Sequence, residues 1–396
     1  MRRLSRITLV CLVELGGFGL LIAGLLAEDA LSLSAFLLSV CLIAYGVKRF
    51  PEVWRRIVED FKATPEGAFL GLAVLTVLLP LVMRRSPYWI FVLTLAALFA
   101  LIALGLNLQL GTTGLMNLAG AAFYGVGAYT VGLLTTRVHV PVGITLLLAP
   151  FMSALVGVLL FVPILKTRGH YLALVTIAFG IIFTQVVNNL EWTGGPQGIK
   201  NIPMLSVGNL IFTRSLRLFG LSLPYHANFF WLIVALTGGV TFLLSRLHNS
   251  WPGLVLNTIR DDETAARCFG VDAAWWKLLS FTLGNLIMGL AGALYAVMVG
   301  YIAPANFTFG DSLIMVGIVI LGGMDSIPGV LVGATLLLVL PEKFRFLQAF
   351  RLMLYGVTIV VMLLFRPRGL LPVRVRRYGL AVSGGGLVLP RREGGG

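Results

Sequence analysis

Long apolar runs separated by short charged breaks constrain this chain more than any other feature. A helix crossing the hydrocarbon of a bilayer needs about 20 apolar residues. Twelve runs approach that length, over residues 7–26, 31–47, 68–83, 88–110, 118–135, 142–165, 169–190, 227–247, 276–299, 308–322, 327–341 and 351–365. Only 12% of residues are charged and 58% are hydrophobic, whereas soluble domains carry about 25% charge. A soluble globule so poor in charge cannot cover its own surface. The pattern excludes a soluble enzyme, a disordered tail protein and a secreted disulfide scaffold. It predicts an all-α polytopic membrane protein of about twelve transmembrane helices. The first run follows Met1-Arg2-Arg3-Leu4-Ser5-Arg6 and has no small-residue cleavage site after it, so a retained anchor is expected.

Orientation follows from Lys and Arg, which collect in cytoplasmic segments. With the N-terminus inside, segments 1–6, 48–67, 111–117, 166–168, 248–277, 323–326 and the C-terminal tail hold most of the 30 basic residues. Arg84, Arg85, Arg137, Lys200, Arg214, Arg217, Lys343, Arg345 and Arg351 run against this assignment. Both termini are therefore expected in the cytoplasm. The same rule accounts for the net charge of +14. No basic run carries interleaved aromatics on a soluble fold, so nucleic acid is not expected as a partner.

Three cysteines, Cys11, Cys41 and Cys268, and four isolated histidines, His139, His170, His226 and His248, give no metal-ligand spacing. The histidines read as interface residues near span ends. No catalytic His/Asp/Glu or Ser/His set stands out, and no G-x-x-x-x-G-K-[ST] occurs. The chain itself is expected to bind no cofactor. If ATP drives it, another subunit binds the ATP.

Two loops are long enough to act. The outer one, 191–226, opens with Glu191-Trp192-Thr193-Gly194-Gly195-Pro196-Gln197-Gly198 and is rich in turn residues. The inner one, 248–275, contains a short helix over Asn257–Val271. Its acids Asp261, Asp262 and Glu263 are read in the first turn, Arg267 lies near the end, and Gly270 is the stop. Glu263 and Arg267 are spaced to pair. Ile259, Ala266 and Phe269 form a small apolar stripe. A solvated loop helix and a docking helix for a cytoplasmic partner both fit this spacing.

Small residues crowd Gly111–Tyr129 and Leu321–Ala334. In lipid they let helix backbones approach closely. Polar, Gly-flanked backbone at membrane depth is tolerated where it is buried or lines a cavity, and broken helices present N-terminal amides to anionic groups. Asn107, Gln109, Thr112, Thr113 and Asn117 are thus candidate pathway residues. Glu14 is the one carboxylate well inside a span. A secondary transporter would need more ionisable residues there.

These segments resemble one family, the branched-chain amino acid ABC importer permeases of the M-type (LivM), over roughly residues 88–371. Gly105-Leu106-Asn107 through Gly125-Val126-Gly127-Ala128-Tyr129 is similar to its glycine-rich stretch. Thr193-Gly194-Gly195-Pro196-Gln197-Gly198-Ile199 looks like its external T-G-G-x-x-G-[LI]. Ile259-Arg260-Asp261-Asp262-Glu263 with Ala265, Ala266 and Gly270 looks like its cytoplasmic I-R-D-[DN]-E-x-A-A-x-x-x-G. Pro304–Phe309, Leu321–Gly329 and Leu364–Leu370 match further shared stretches. Leu115, Asn117 and Ala119-Gly120 depart from the family pattern, where Gln, Ser and Gly-His are usual.

The resemblance implies a BtuC-like, type II importer core of ten helices over 68–366. Two extra spans precede it in 1–67, and a basic, Gly-rich cytoplasmic tail, 367–396, is expected to be disordered. It implies a second, H-type permease. Two cytoplasmic ATPases would carry ATP and Mg and couple at Arg260, Asp261, Asp262, Glu263, Ala265, Ala266, Arg267 and Gly270. An external solute-binding protein would meet the loop at Thr193, Gly194, Gly195 and Gly198. The expected home is the bacterial inner membrane, in contact with lipid. The expected cargo is leucine, isoleucine or valine; related permeases for urea, other amino acids or amides, or sugars are the alternatives.

Overall fold

The computed structural model describes residues 65–164, 171–207, 210–211, 216–218, 221–343 and 369–372, with scattered helical residues at 15–19, 22–24, 49 and between 353 and 364. The expected span at 31–47, Glu14, Cys11, Cys41 and the tail beyond 372 therefore lie outside the described residues, and so does more than half of each expected span at 7–26 and 351–365.

Helices occupy the remaining expected spans. They are α1 (Pro65–Val82), α2 (Pro87–Leu106), α3 (Gly120–Thr136), α4 (Val142–Ile164), α5 (Tyr171–Asn189) and α6 (His226–His248). After two short helices in the 248–275 loop come α9 (Ala273–Val299), α10 (Phe309–Gly322) and α11 (Ile327–Lys343). Among the described residues, six segments are long and apolar enough to cross a membrane: Pro87–Thr112, Val142–Pro163, Tyr171–Asn189, His226–His248, Ala273–Val299 and Pro304–Gly322. The chain is a multi-pass membrane protein. Their ends carry recognisable stops and starts. Pro87 opens α2 after Ser86, where its missing N–H costs nothing. The Asp272 carboxylate accepts from the amides of Ala274 and Trp275 to start α9 (3.1 and 3.2 Å). Thr308 and Asp311 form a reciprocal cap at the start of α10.

The centre is α9, packed against α3 and α4 through glycine. A Cβ on Gly127 of α3 would sit 2.1 Å from the carbonyl oxygen of Gly289, and one on Gly292 of α9 would sit 1.9 Å from that of Tyr124. On the other side of α9, a Cβ on Gly289 would sit 2.4 Å from the Ser153 Cβ of α4. Only bare backbone allows this approach. Without a hydrophobic drive between helices in lipid, such close van der Waals contact is what holds them. Tyr124, Tyr129, Phe183, Tyr295 and Phe307 pack around the next turns, with ring centroids 5.2 to 6.3 Å apart.

The 191–226 loop is not wholly irregular. It contains two small antiparallel hairpins, Ser206–Val207 with Leu210–Ile211 and Leu216–Leu218 with Leu221–Leu223.

Candidate functional site

The helical ladder of α2 widens into a π turn at Asn107–Thr112 and then breaks, leaving irregular backbone until Gly120. Side chains hold the widened turn open. The Thr113 hydroxyl donates to the Leu108 carbonyl (3.0 Å), five residues back. The Ser280 hydroxyl of α9 reaches the same carbonyl (3.2 Å) and lies 2.6 Å from that of Thr113. Such bulges recur at functional sites.

The five candidate pathway residues meet here, and each is at most 2% exposed. Nε2 of Gln109 donates to the Phe281 carbonyl (2.8 Å) and to Oδ1 of Asn285 (3.1 Å). Oε1 of Gln109 accepts from Nδ2 of Asn117 (2.8 Å). Most of the amides around the start of the next helix are paired within the fold. The Leu118 N–H donates to Thr176 of α5 (3.1 Å), Ala119 to Asn117 (2.9 Å), and Ala121 to Ser312 of α10 (3.0 Å). The amides of Ala122 and Phe123 bond to the Ala119 carbonyl. In this conformation the segment is a closed polar seam between α2, α3, α5, α9 and α10.

The inner loop also differs from the sequence reading, which placed one helix over Asn257–Val271. Two helices form, α7 (Trp251–Asp261) and α8 (Glu263–Cys268). Asp262 separates them with extended backbone (φ −156°, ψ 104°), and its carboxylate caps α8 by accepting from the amides of Thr264 and Ala265 (2.8 and 3.0 Å). An Asp that bonds forward to its neighbours' amides competes with a continuous helix. Asp261 thus ends one helix and Glu263 opens the next. Gly270 follows α8 with φ +80°, the left-handed stop glycine favours.

The predicted Glu263–Arg267 pair is formed (2.6 Å), and Lys277 of α9 also donates to Glu263. Partial burial raises the Glu263 carboxyl, but the hydrogen bond and charge of Lys277 and then Arg267 outweigh it, so its pKa lies below the ordinary value. The apolar stripe divides. Ile259 and Ala266 pack inward with Val255 and Ala273, while Phe269 is 88% exposed. Ala265, Arg267, Cys268 and Gly270 face outward beside it. Ala266 is a buried folding residue, not part of that outward face.

Arg260 roots the helix pair in the seam. Its guanidinium donates to the Gly111 carbonyl, and Nη1 lies 3.8 Å from Oδ2 of Asp325. Asp325 sits in the Gly323–Ser326 turn between α10 and α11, with φ +66°. The Thr112 hydroxyl donates to Oδ1 of Asp325 (2.8 Å), so Thr112 accepts from Nε2 of His248 (2.9 Å). The Asp325 amide donates to Oδ1 of Asn107 (2.8 Å). Gly369, Leu370 and Leu371 close the same turn, with the last two donating to the carbonyls of Leu321 and Gly322 (2.9 and 3.1 Å). His248, 3% exposed, is a member of this cluster and not an interface residue. His248, Ser280 and Asp325 were missed as site residues; the one sequence signal was an acid in a glycine-rich turn at the membrane edge.

The Thr193–Ile199 motif is a clasp. Gly194, Gly195 and Gly198 all have positive φ, and a Cβ on Gly198 would sit 2.0 Å from the Ile302 carbonyl oxygen. Ile199 and Ile302 exchange backbone hydrogen bonds (2.8 and 3.1 Å). The Thr193 hydroxyl donates back to the Val187 carbonyl of α5 (2.8 Å). Thr193 and Gly195 are buried, and Glu191, Trp192, Pro196 and Gln197 are exposed.

The profile of the branched-chain amino acid transport system permease component matches residues 88–365, the span that holds the seam, the inner helix pair and the outer clasp. The chain belongs to that family. Relatives include the high-affinity branched-chain amino acid permease LivM of Escherichia coli K12, 36% identical over 79% of this chain and 77% of the relative. A probable LivM of Methanocaldococcus jannaschii is 24% identical over 69% of this chain and 90% of the relative. The E. coli permease LivH is 24% identical over 62% and 80%. No solved structure matches the chain. Among the described residues no group of three His, Cys, Asp or Glu is placed to hold a metal.

Proposed function

We propose that this permease is the M-type membrane subunit of an ATP-driven importer of leucine, isoleucine and valine. It sits in the bacterial inner membrane with both termini in the cytoplasm. Ten helices over 68–366 form a type II importer core, preceded by two added spans and followed by a cytoplasmic tail. An H-type permease completes the path. An external binding protein delivers cargo to the 191–226 loop, where the clasp fixes Trp192, Pro196 and Gln197 on the surface. Two ATPases, which hold the ATP and Mg, dock on α8 and the partner's equivalent.

One observation carries the reading. The α7–α8 pair is capped, ion-paired and packed on its inner side, yet ends in an outward Phe269, and its root, Arg260, touches the break in α2. A rigid exposed knob wired to a buried polar break suits transfer of force from a motor to a conduit. Asn107, Gln109, Thr112, Thr113 and Asn117 act in this scheme as the seam that opens for cargo, not as the wall of a standing channel.

The test is the complex of both permeases and both ATPases in proteoliposomes, with binding protein outside. Cys11→Ala and Cys41→Ala leave Cys268 as the one thiol of this chain, carrying a photoreactive maleimide. Light should join Cys268 to an ATPase, and Phe269→Asp should cut ATP-dependent leucine uptake at least tenfold. Leucine uptake without ATP, or a Cys268 that captures no ATPase, defeats the proposal. ATP-dependent import of urea or a sugar in place of leucine would defeat the cargo assignment and leave the docking intact.

A further inference from the structure

We infer that Asp325 is a positioning residue, a latch that makes the seam follow the inner helix pair. The inference rests on the docking reading above and adds how the movement is passed on. Asp325 is 5% exposed, and it meets three elements. Its amide and carboxylate hold Asn107 and Thr112 of the α2 break (2.8 Å each). Its carboxylate lies 3.7 Å from Nε2 of His248, at the end of α6. Its other oxygen faces Arg260 of α7.

Arg260 is the moving half of the latch. Its Nη1 donates to the Gly111 carbonyl of the break and lies 3.8 Å from Oδ2 of Asp325 in the α10–α11 turn, an ion-pair contact, so one nitrogen touches two elements. A Cβ on Gly114 would lie 3.1 Å from its Cγ, so the arginine stem lies against that backbone. A push on α7 must carry both acceptors or break both contacts at once. In a low dielectric a half-broken polar network is worse than either intact state, so the elements move together. The second anchor, Glu263 to Lys277, ties α8 to α9. That helix carries Ser280 and Asn285, the seam's other side. Displacement of one knob therefore acts on both sides of the seam.

The test uses the same complex and reads leucine imported per ATP hydrolysed. Asp325→Asn keeps the shape and an acceptor for Thr112 but turns an amide toward Arg260. We expect the ratio to fall at least fivefold while Cys268 still cross-links to the ATPase. Arg260→Ala should do the same, and the double variant should be no worse than the worse single. The Arg260 side chain is 34% exposed, so this variant decides the matter if Asp325→Asn fails to assemble. An unchanged ratio in either assembled variant overturns the latch, including a case where uptake and hydrolysis fall equally. Absence of the Cys268 cross-link in the unaltered complex overturns the docking reading and the latch with it.

Discussion

Replacing Gly127 by Ala adds one methyl at the tightest crossing of α3 and α9. The new Cβ would lie 2.1 Å from the Gly289 carbonyl oxygen, roughly 1.3 Å short of an ordinary 3.4 Å contact. Backbone stands on the far side, so no side chain can swing away and the helices must part. Overpacking of this kind costs about 1–3 kcal/mol, and a gap of 0.5–1 Å along the crossing forfeits roughly a quarter to a half of each contact it opens. Against this, Ala gains up to about 1 kcal/mol over Gly in a helix. The net loss is about 1–2 kcal/mol, which lowers the melting temperature by about 1–2 °C for a chain of this size. Gly239 of α6 is the control, because nothing lies within 4 Å of its Cβ position. Gly239→Ala should leave the melting temperature unchanged or raise it by a degree or so. Thermal unfolding in lipid nanodiscs, followed by tryptophan fluorescence, measures both. If the two variants shift in the same direction by the same amount, close backbone contact is not what holds this crossing.

Gln109→Leu removes the donor to the Phe281 carbonyl and leaves Asn117 and Asn285 only their long mutual contact of 3.4 Å, so it should cost about 1–3 kcal/mol; adding Asn285→Leu should cost less than the two single losses together in the same unfolding assay. Glu263 has a folded pKa below its ordinary value, so its ion pairs support α8 fully above about pH 4.5 and release it as pH falls through the lower folded value. Limited trypsin cleavage at Arg267, read after brief exposure to each pH, should rise only in that acid range, and Lys277→Met should move the rise to higher pH. Gly198→Ala forces a side chain into φ +68° and against Ile302, so the clasp should open, and protease added outside right-side-out vesicles should cut near Gln197 several times faster than in the parent.

Much of this architecture was legible in the sequence because lipid enforces simple rules. The run read at 88–110 is the segment Pro87–Thr112, and 276–299 sits within Ala273–Val299. Even the short pair at 308–322 and 327–341 divides at the glycine-rich turn around Asp325, where backbone bends out of the helix. Polar residues in apolar surroundings drew attention to Asn107, Gln109, Thr112, Thr113 and Asn117 for the same reason. Their partners were not legible. Thr112 is bonded to His248 and Asp325, 136 and 213 positions away, and no local pattern encodes a contact of that separation. The inner helix was misread as continuous because charge order and spacing fit one helix as well as two. What decides is the Asp262 side chain, which takes two amides for itself.

The closed seam also bears on leakiness. Each candidate pathway side chain already has a mate inside the fold, so water or an ion entering at Gln109 must first displace protein groups from one another. Such a barrier resists seepage by small solutes while it is shut. Parting these side chains takes a concerted swap of bonds in which every displaced group finds a new companion, because a half-broken buried network is worse than an intact one.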